Sequence, residues 1–370
     1  MKLEILAEGF VLRCPETGPR AAAVAPRAAL AAGGELLCSL ALQSGIGQND
    51  GVTVLCRSKD LGLTWQEQGP VWPGAVGAHS IFADISRTPS GEHLLLGMRW
   101  KIDAPGESFV HPENHGLKDN EMIWARSADQ GRTWSEPAVI PRPVPGAAEV
   151  PGVLLATRQG RWLAPYVPYP TWDPGLRVDV SKVIVVGSDD QGRTWPHWAA
   201  MLQVAEPDSS GNEQWVVELS DGRLLGTAWH IDLKGKTPYP NIYALSHDGG
   251  LSWGPTRSTG LVGQSMGTAA LADGRVACVY NVRTTGEPGV WLAVARPDDR
   301  AFNAEFNQPV WRAQAATQRG SSGELAEGGW LDFAFGEPAV LPLPDGTLLV
   351  LLWCLQPEGR GIRYVKVHLT

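Results

Sequence analysis

Apolar residues along this chain come in short runs, and the runs pair off around tight turns. Ala28-Ala29-Leu30 leads through Gly33-Gly34 to Leu36–Leu40. Ile85-Ser86-Arg87 leads through Ser90-Gly91 to Leu94–Met98, and Val153-Leu154-Leu155 through Gln159-Gly160 to Trp162-Leu163-Ala164. Val216–Leu219 leads through Asp221-Gly222 to Leu224-Leu225-Gly226. Ala269-Ala270-Leu271 leads through Asp273-Gly274 to Val276–Val279, and Val340–Leu343 through Asp345-Gly346 to Leu348–Leu351. Runs of this length around an Asp-Gly type turn are hairpin signals. Six occur, with turn glycines 52 to 72 residues apart. No stretch of helical period competes with them.

A second pattern follows the first. Ser58–Trp65, Ser127–Trp134, Ser188–Trp195 and Ser246–Trp253 all read S-x-D-x-G-x-[TS]-W. In a tight turn the Asp accepts backbone hydrogen bonds and the Gly takes a left-handed conformation. The hydroxyl adds a local bond and the Trp packs into the layer beneath. Unit five keeps only a trace around Arg296-Pro297-Asp298-Asp299, and unit six ends in the strand-like Ile362–Val367. Each unit therefore predicts a four-stranded antiparallel sheet. The chain predicts an all-β, six-bladed β-propeller forming a single domain over 1–370, with Leu3–Leu6 as the outer strand that closes the ring. The repeated turns fall at the end away from the usual ligand rim and read as structural.

Composition narrows the function classes. The net charge of -8 argues against nucleic acid or an anionic membrane as partner. No run approaches a membrane span, and Met1–Gly9 carries acids where a signal peptide would be apolar, so the expected location is cytoplasmic. The 43 Gly and 29 Pro fit many turns between short strands, and the 16 Trp exceed what the four repeated turns require. The five Cys include no CxxC pair and read as buried free thiols. No cofactor fingerprint is present. His111 and His115 have the spacing of a helical metal pair, but Pro112 and Asn114 lie in a polar segment without helical pattern. A lid-type loop between Lys101 and Glu121 is expected there, and no metal. Oligomeric state is not legible.

The rim positions carry the candidate chemistry. Ahead of the first strands stand Arg27, Asp84, Glu149, Glu213, Gln264 and Glu337. After the second strands stand Gln43, Arg99 with Lys101, Tyr166 with Tyr169, Trp229 with His230 and Asp232, Arg283, and Trp353. Carboxylates in pairs serve as acid and base or as acid and nucleophile. Arginine forks bind carboxylates, and indole or phenol faces pack on a sugar ring. Each also has a plain structural reading: Asp84 can pair with Arg87, Glu149 and Glu213 can open apolar strands, Arg27 and Arg283 can be surface charges, and His230 can be a satisfied core histidine.

The four S-x-D-x-G-x-[TS]-W turns resemble the Asp-boxes, or BNR repeats, of the sialidase (neuraminidase) superfamily, and the likeness covers essentially the whole chain. Asn212–Arg223 resembles blade four of exo-sialidases, where the Glu supports catalysis. The resemblance implies that Arg27 in Pro26-Arg27-Ala28 and Arg283 in Asn281-Val282-Arg283 belong to an arginine triad, and that Asp84 is the second-blade aspartate. The chain departs from the family in three places, the first being the F/Y-R-I-P motif, which reads Ala25-Pro26-Arg27-Ala28. Trp229-His230 stands where the middle arginine is expected, and Glu337 stands where the catalytic Tyr is expected.

The resemblance thus implies an exo-acting glycoside hydrolase acting on a terminal, possibly acidic, sugar. Glu337 would pair with Asp84, Glu149 or Glu213. Arg27, Arg283, Arg99, His230 and Gln264 would hold substrate, and Trp229, Trp353 and Tyr166 would shape the pocket. The alternatives are a uronic-acid lyase using His230 or a Tyr as base, and a non-catalytic glycan-binding propeller.

Overall fold

A computed structural model describes residues 1–235, 237–318 and 329–370. Among the described residues six antiparallel sheets follow one another along the chain, each of four principal strands, which stand in sequence order in all but the last. Blade 1 runs Ala22–Leu30, Leu36–Gln43, Val52–Ser58, Gln66–Pro70, and blade 2 runs His79–Arg87, His93–Lys101, Glu121–Ser127, Ala138–Ile140. Blade 4 runs Ser209–Glu218, Leu224–Asp232, Pro240–Ser246, Arg257–Val262, and blade 5 runs Gln264–Ala270, Val276–Val282, Gly289–Ala295, Ala304–Arg312. Blade 6 takes Phe335–Pro342, Leu348–Gln356 and Gly359–Leu369 from the C-terminus and Leu3–Arg13 from the N-terminus.

That N-terminal strand pairs along its length with Gly359–Leu369, and so closes the ring as the sequence predicted. Its Phe10 ring meets two guanidinium groups, Arg13 at 3.8 Å and Arg363 at 5.0 Å from the ring centre. Such contacts add attraction to the latch beyond apolar burial.

Blade 3 departs from expectation. Its innermost strand is broken into Ala147–Glu149 and Leu155–Ala156, ahead of Trp162–Tyr169, Lys182–Ser188 and His197–Gln203. Most of the predicted run Val153–Leu155 is therefore not strand. Pro151 has no N–H to donate to the ladder, and a Cβ on Gly152 would sit 2.5 Å from the Gln214 carbonyl oxygen. The backbone leaves the sheet here and presses against blade 4.

The core is distributed as apolar slabs between neighbouring blades. Leu163, Val183, Val185, Val216 and Ile242 fill the space between blades 3 and 4, and Val279, Val290, Leu292, Val350 and Val365 that between blades 5 and 6. The repeated turns hold adjacent blades together. In each, the glycine N–H donates to the Ser hydroxyl, at Gly62, Gly131, Gly192 and Gly250. The Asp carboxylate receives the amide and hydroxyl of Thr64, Thr133, Thr194 or Ser252. Gly131 (φ +75°) lies where a Cβ would come 2.6 Å from Leu37 of blade 1, and Gly192 (φ +83°) where it would come 2.6 Å from Trp124 of blade 2. Each glycine is thus needed for its backbone angle and for its lack of side chain. The trace in unit five makes a related turn, with Asp298 accepting the amides of Arg300 and Ala301.

Four Cys are buried within strands and Cys14 is partly buried; all five are free thiols.

Candidate functional site

Four of the six innermost strands break register at one level: Val24/Arg27, Asn212/Trp215, Gln264/Gly267 and Gly336/Ala339. At each break a residue other than glycine takes a left-handed backbone, namely Ala25, Glu213, Ser265 and Glu337, with φ of 53°, 50°, 50° and 44°. This conformation is costly, and a bulge re-aims the side chain it carries. Two of the four residues are glutamates.

The bulges border a cavity of ≈ 1190 Å³ at one mouth of the channel. Glu149, Glu213, Glu337, Arg283, Gln264 and His230 line it, with Trp229, Trp353, Tyr169, Tyr239, Phe333 and Trp330 around them. Gly336 lets the Trp353 indole lie close beside Glu337, because a Cβ there would meet the ring at 2.8 Å.

The acids act on one another. Glu337 Oε2 accepts the Ala25 N–H at 2.8 Å, which holds one oxygen in place. Burial, and then the charge of Glu337, push Glu213 up to about 7, against the opposing pull of Arg283 and the Ser265 hydroxyl. Glu149 is raised well above the carboxylate range by burial and by Glu213, whose backbone N–H it accepts. Carboxyls this close in a shielded site cannot all be ionised, and their protonation states separate.

Arg283 is the guanidinium that faces this group, and protein atoms hold its nitrogens. Nε donates to Gln264 Oε1 (2.8 Å), Nη1 to the Phe335 carbonyl (3.0 Å) and Nη2 to Ser265 Oγ (3.2 Å). Its plane lies 3.6 Å over the Phe333 ring, and burial brings it down to about 10. His230 stacks on Tyr239 at 4.2 Å, with Nε2 3.6 Å from Glu206 Oε2. Burial lowers the His230 pKa, so at neutral pH the ring is uncharged.

Four residues predicted for the site stand elsewhere. Arg99 faces away from the cavity and pairs with Glu121 at 2.6 Å, while its neighbours Met98 and Trp100 line the cavity. Tyr166 is fully buried between blades 2 and 3, and of the predicted pair it is Tyr169 that lines the cavity. Both misplacements come from strand alternation, where one residue of error turns a side chain to the other face. Arg27 and Asp84 are each 2% exposed and lie beneath the cavity, Arg27 Nε 3.8 Å from Asp84 Oδ2. Val24 and Phe82 hold the cavity level in those two strands. Arg27 and Asp84 therefore stand one step deeper.

Sequence reasoning also missed an aromatic wall. Phe82 and Trp100 of blade 2 meet Phe109 from the segment 102–120, with Trp100 and Phe109 stacked at 4.9 Å and Phe109 and Trp330 at 6.4 Å. That segment also docks on blade 3's loop through Trp172 Nε1, which donates to the Phe109 carbonyl. His111 rests edge-on to Trp172 within this wall. The surplus of Trp was a usable signal, but their partners come from distant loops.

A family model described as a BNR repeat-like domain matches residues 108–311, more than half of the chain. The chain belongs to the BNR repeat-like family. No curated protein sequence matches it. Among solved structures, a Dyadobacter fermentans protein of unknown function superposes on this BNR propeller with TM-score 0.75 and 18% identity, over 100% of this chain and 99% of that one. A Hadza microbial sialidase gives TM-score 0.65 and 15% identity over 94% and 66%. A Penicillium chrysogenum α-L-arabinanase complexed with arabinobiose gives 0.60 and 16% over 98% of each. The fold is thus the sialidase-like propeller that glycoside hydrolases use.

Proposed function

We propose that this BNR propeller is an exo-acting glycoside hydrolase with a carboxylate acid/base machinery, and that its terminal sugar is uncharged. The reading rests on one observation: Glu213, raised to about 7, lies in the field of Glu337, whose carboxylate is fixed by the Ala25 N–H. A protonated Glu213 donates its proton to the glycosidic oxygen as the bond to the anomeric carbon breaks. The Glu337 carboxylate serves that carbon, either by direct attack or by deprotonating the attacking water. Burial and the charge of Glu213 favour the neutral form of Glu149, which lowers the negative charge in the site. Trp229, Trp353 and Tyr169 offer faces to the sugar ring, and Gln264 and His230 offer polar contacts to its hydroxyls.

The charge balance supports an uncharged sugar. A substrate carboxylate is held best by a free cationic fork, and Arg283 already commits one N–H on each of its three nitrogens, to Gln264, Phe335 and Ser265, which leaves two of its five for a ligand. The same point weighs against a uronic-acid lyase, which must neutralise a carboxylate before His230 or a tyrosine can act as base.

A panel of aryl glycosides tests the reading. Release of free sugar, reduced about a thousandfold or more in Glu337→Gln, is expected. An unsaturated product absorbing in the near ultraviolet would select the lyase instead. Sugar binding unchanged in Glu337→Gln, with no turnover by the native chain, would select a glycan-binding propeller.

A further inference from the structure

The first-blade arginine has lost access to any ligand. Arg27 is 2% exposed, and its guanidinium is taken up by three backbone carbonyls. Nη1 donates to the Pro26 carbonyl (2.8 Å) and to the Glu337 carbonyl (3.1 Å), and Nη2 donates to the Pro151 carbonyl (2.6 Å). Asp84 approaches Nε at 3.8 Å, and the Trp215 ring covers the guanidinium plane at 4.8 Å. These partners belong to blades 1, 6, 3, 2 and 4. The carbonyls Arg27 holds are those of the blade 1 bulge, of Glu337 itself, and of the blade 3 break two residues after Glu149. Two residues before Arg27, the Ala25 N–H holds the Glu337 carboxylate.

We propose that Arg27 is a positioning residue for the acid cluster: from beneath the cavity, one buried guanidinium ties together the backbone turns that present Glu337 and Glu149, and it does not contact substrate. The left-handed backbone at Ala25 and Glu337 is unfavourable by itself and persists where surrounding bonds over-determine it. Arg27 bonds to both bulges, so it can supply that constraint. A lysine keeps the charge but has no planar fork and cannot reach three carbonyls in fixed directions. The charge of Arg27 also favours ionised carboxyls above it and at Asp84, where burial pulls the other way and pushes the carboxyl up. The proposal deepens the hydrolase reading, since it says how that reading's acids are held, but its geometry stands without turnover.

Hydrogen exchange and carboxyl titration on Arg27→Lys and Arg27→Met test the proposal without depending on activity. In both variants the Ala25 amide is expected to exchange about tenfold or more faster, with outer-strand amides of the same blades unchanged. In Arg27→Met, carbon NMR of labelled glutamates is expected to show Glu213 titrating at higher pH, and in Arg27→Lys close to its native position. Native protection of Ala25 in Arg27→Lys, which keeps the charge and is the variant more certain to fold, would overturn the proposal. So would binding of N-acetylneuraminate by the native chain that is lost in Arg27→Lys with Ala25 protection intact, since Arg27 would then be a ligand contact. If no glycoside is turned over but Ala25 loses protection, the hydrolase reading fails and the positioning role stands.

Discussion

Replacing Glu213 by Gln should make the protein more stable at alkaline pH, although it removes the group proposed as the acid. Glutamine keeps the shape and cannot ionise. In the unfolded chain the carboxyl loses its proton near 4.5, and in the folded chain burial and Glu337 delay that to about 7. Between these values the folded state binds more protons, so stability falls as pH rises. The favourable contribution is complete below 4.5 and gone above about 7. At about 1.4 kcal/mol per pH unit the native chain loses about 3 kcal/mol across this window, and the partial exposure of Glu213 to the cavity trims this to about 2–3 kcal/mol. Glu213→Gln escapes that loss. Denaturant unfolding followed by tryptophan fluorescence, at about pH 4.5 and about pH 9, reads the difference. The variant should match the native chain at the lower pH and exceed it by about 2–3 kcal/mol at the higher one. Glu337→Gln should capture part of the same gain, because it removes the second cause of the shift. A Glu213→Gln variant destabilised equally at both pH values would refute the reasoning, because the carboxyl would then be an ordinary packed acid with no strain on its ionisation.

Other consequences follow from the same geometry. Hydrolysis should decline as pH rises through about 7, where Glu213 loses its proton, and Glu337→Gln should move that limb of the kcat/KM profile to lower pH. Gly131→Ala should cost about 1–3 kcal/mol in denaturant unfolding, because it places a Cβ 2.6 Å from Leu37 at φ +75°, while Gly69→Ala, with open space around it, should cost less. Trp353→Ala should raise KM for the sugar about tenfold through loss of a stacking face, with a smaller effect on kcat. Removing Leu3–Arg13 should lower the thermal midpoint sharply, since it bares the edge of Gly359–Leu369 and takes the Phe10 ring from Arg363.

The repeats carried the fold by themselves. A hairpin signal and the S-x-D-x-G-x-[TS]-W turn are local, and each fixes its own hydrogen bonds within eight residues, so the chain announced six sheets and its own closing strand without tertiary information. Closeness in space of Glu149, Glu213, Arg283 and Glu337 was also legible, because radial repeats bring equivalent positions to one mouth. What only the tertiary structure decided is the level and face of each side chain. Register breaks at Val24/Arg27, Asn212/Trp215, Gln264/Gly267 and Gly336/Ala339 shift which residue reaches the cavity, and no residue type in those stretches announces a left-handed Ala25 or Glu337. Arg99 and Tyr166 turned away by a single alternation, and Arg27 and Asp84 sank beneath the floor to serve each other and the backbone. Short-range pattern specifies which strands form. Where a charge ends, and whether it faces a ligand or a carbonyl, depends on the bonds that other blades offer it.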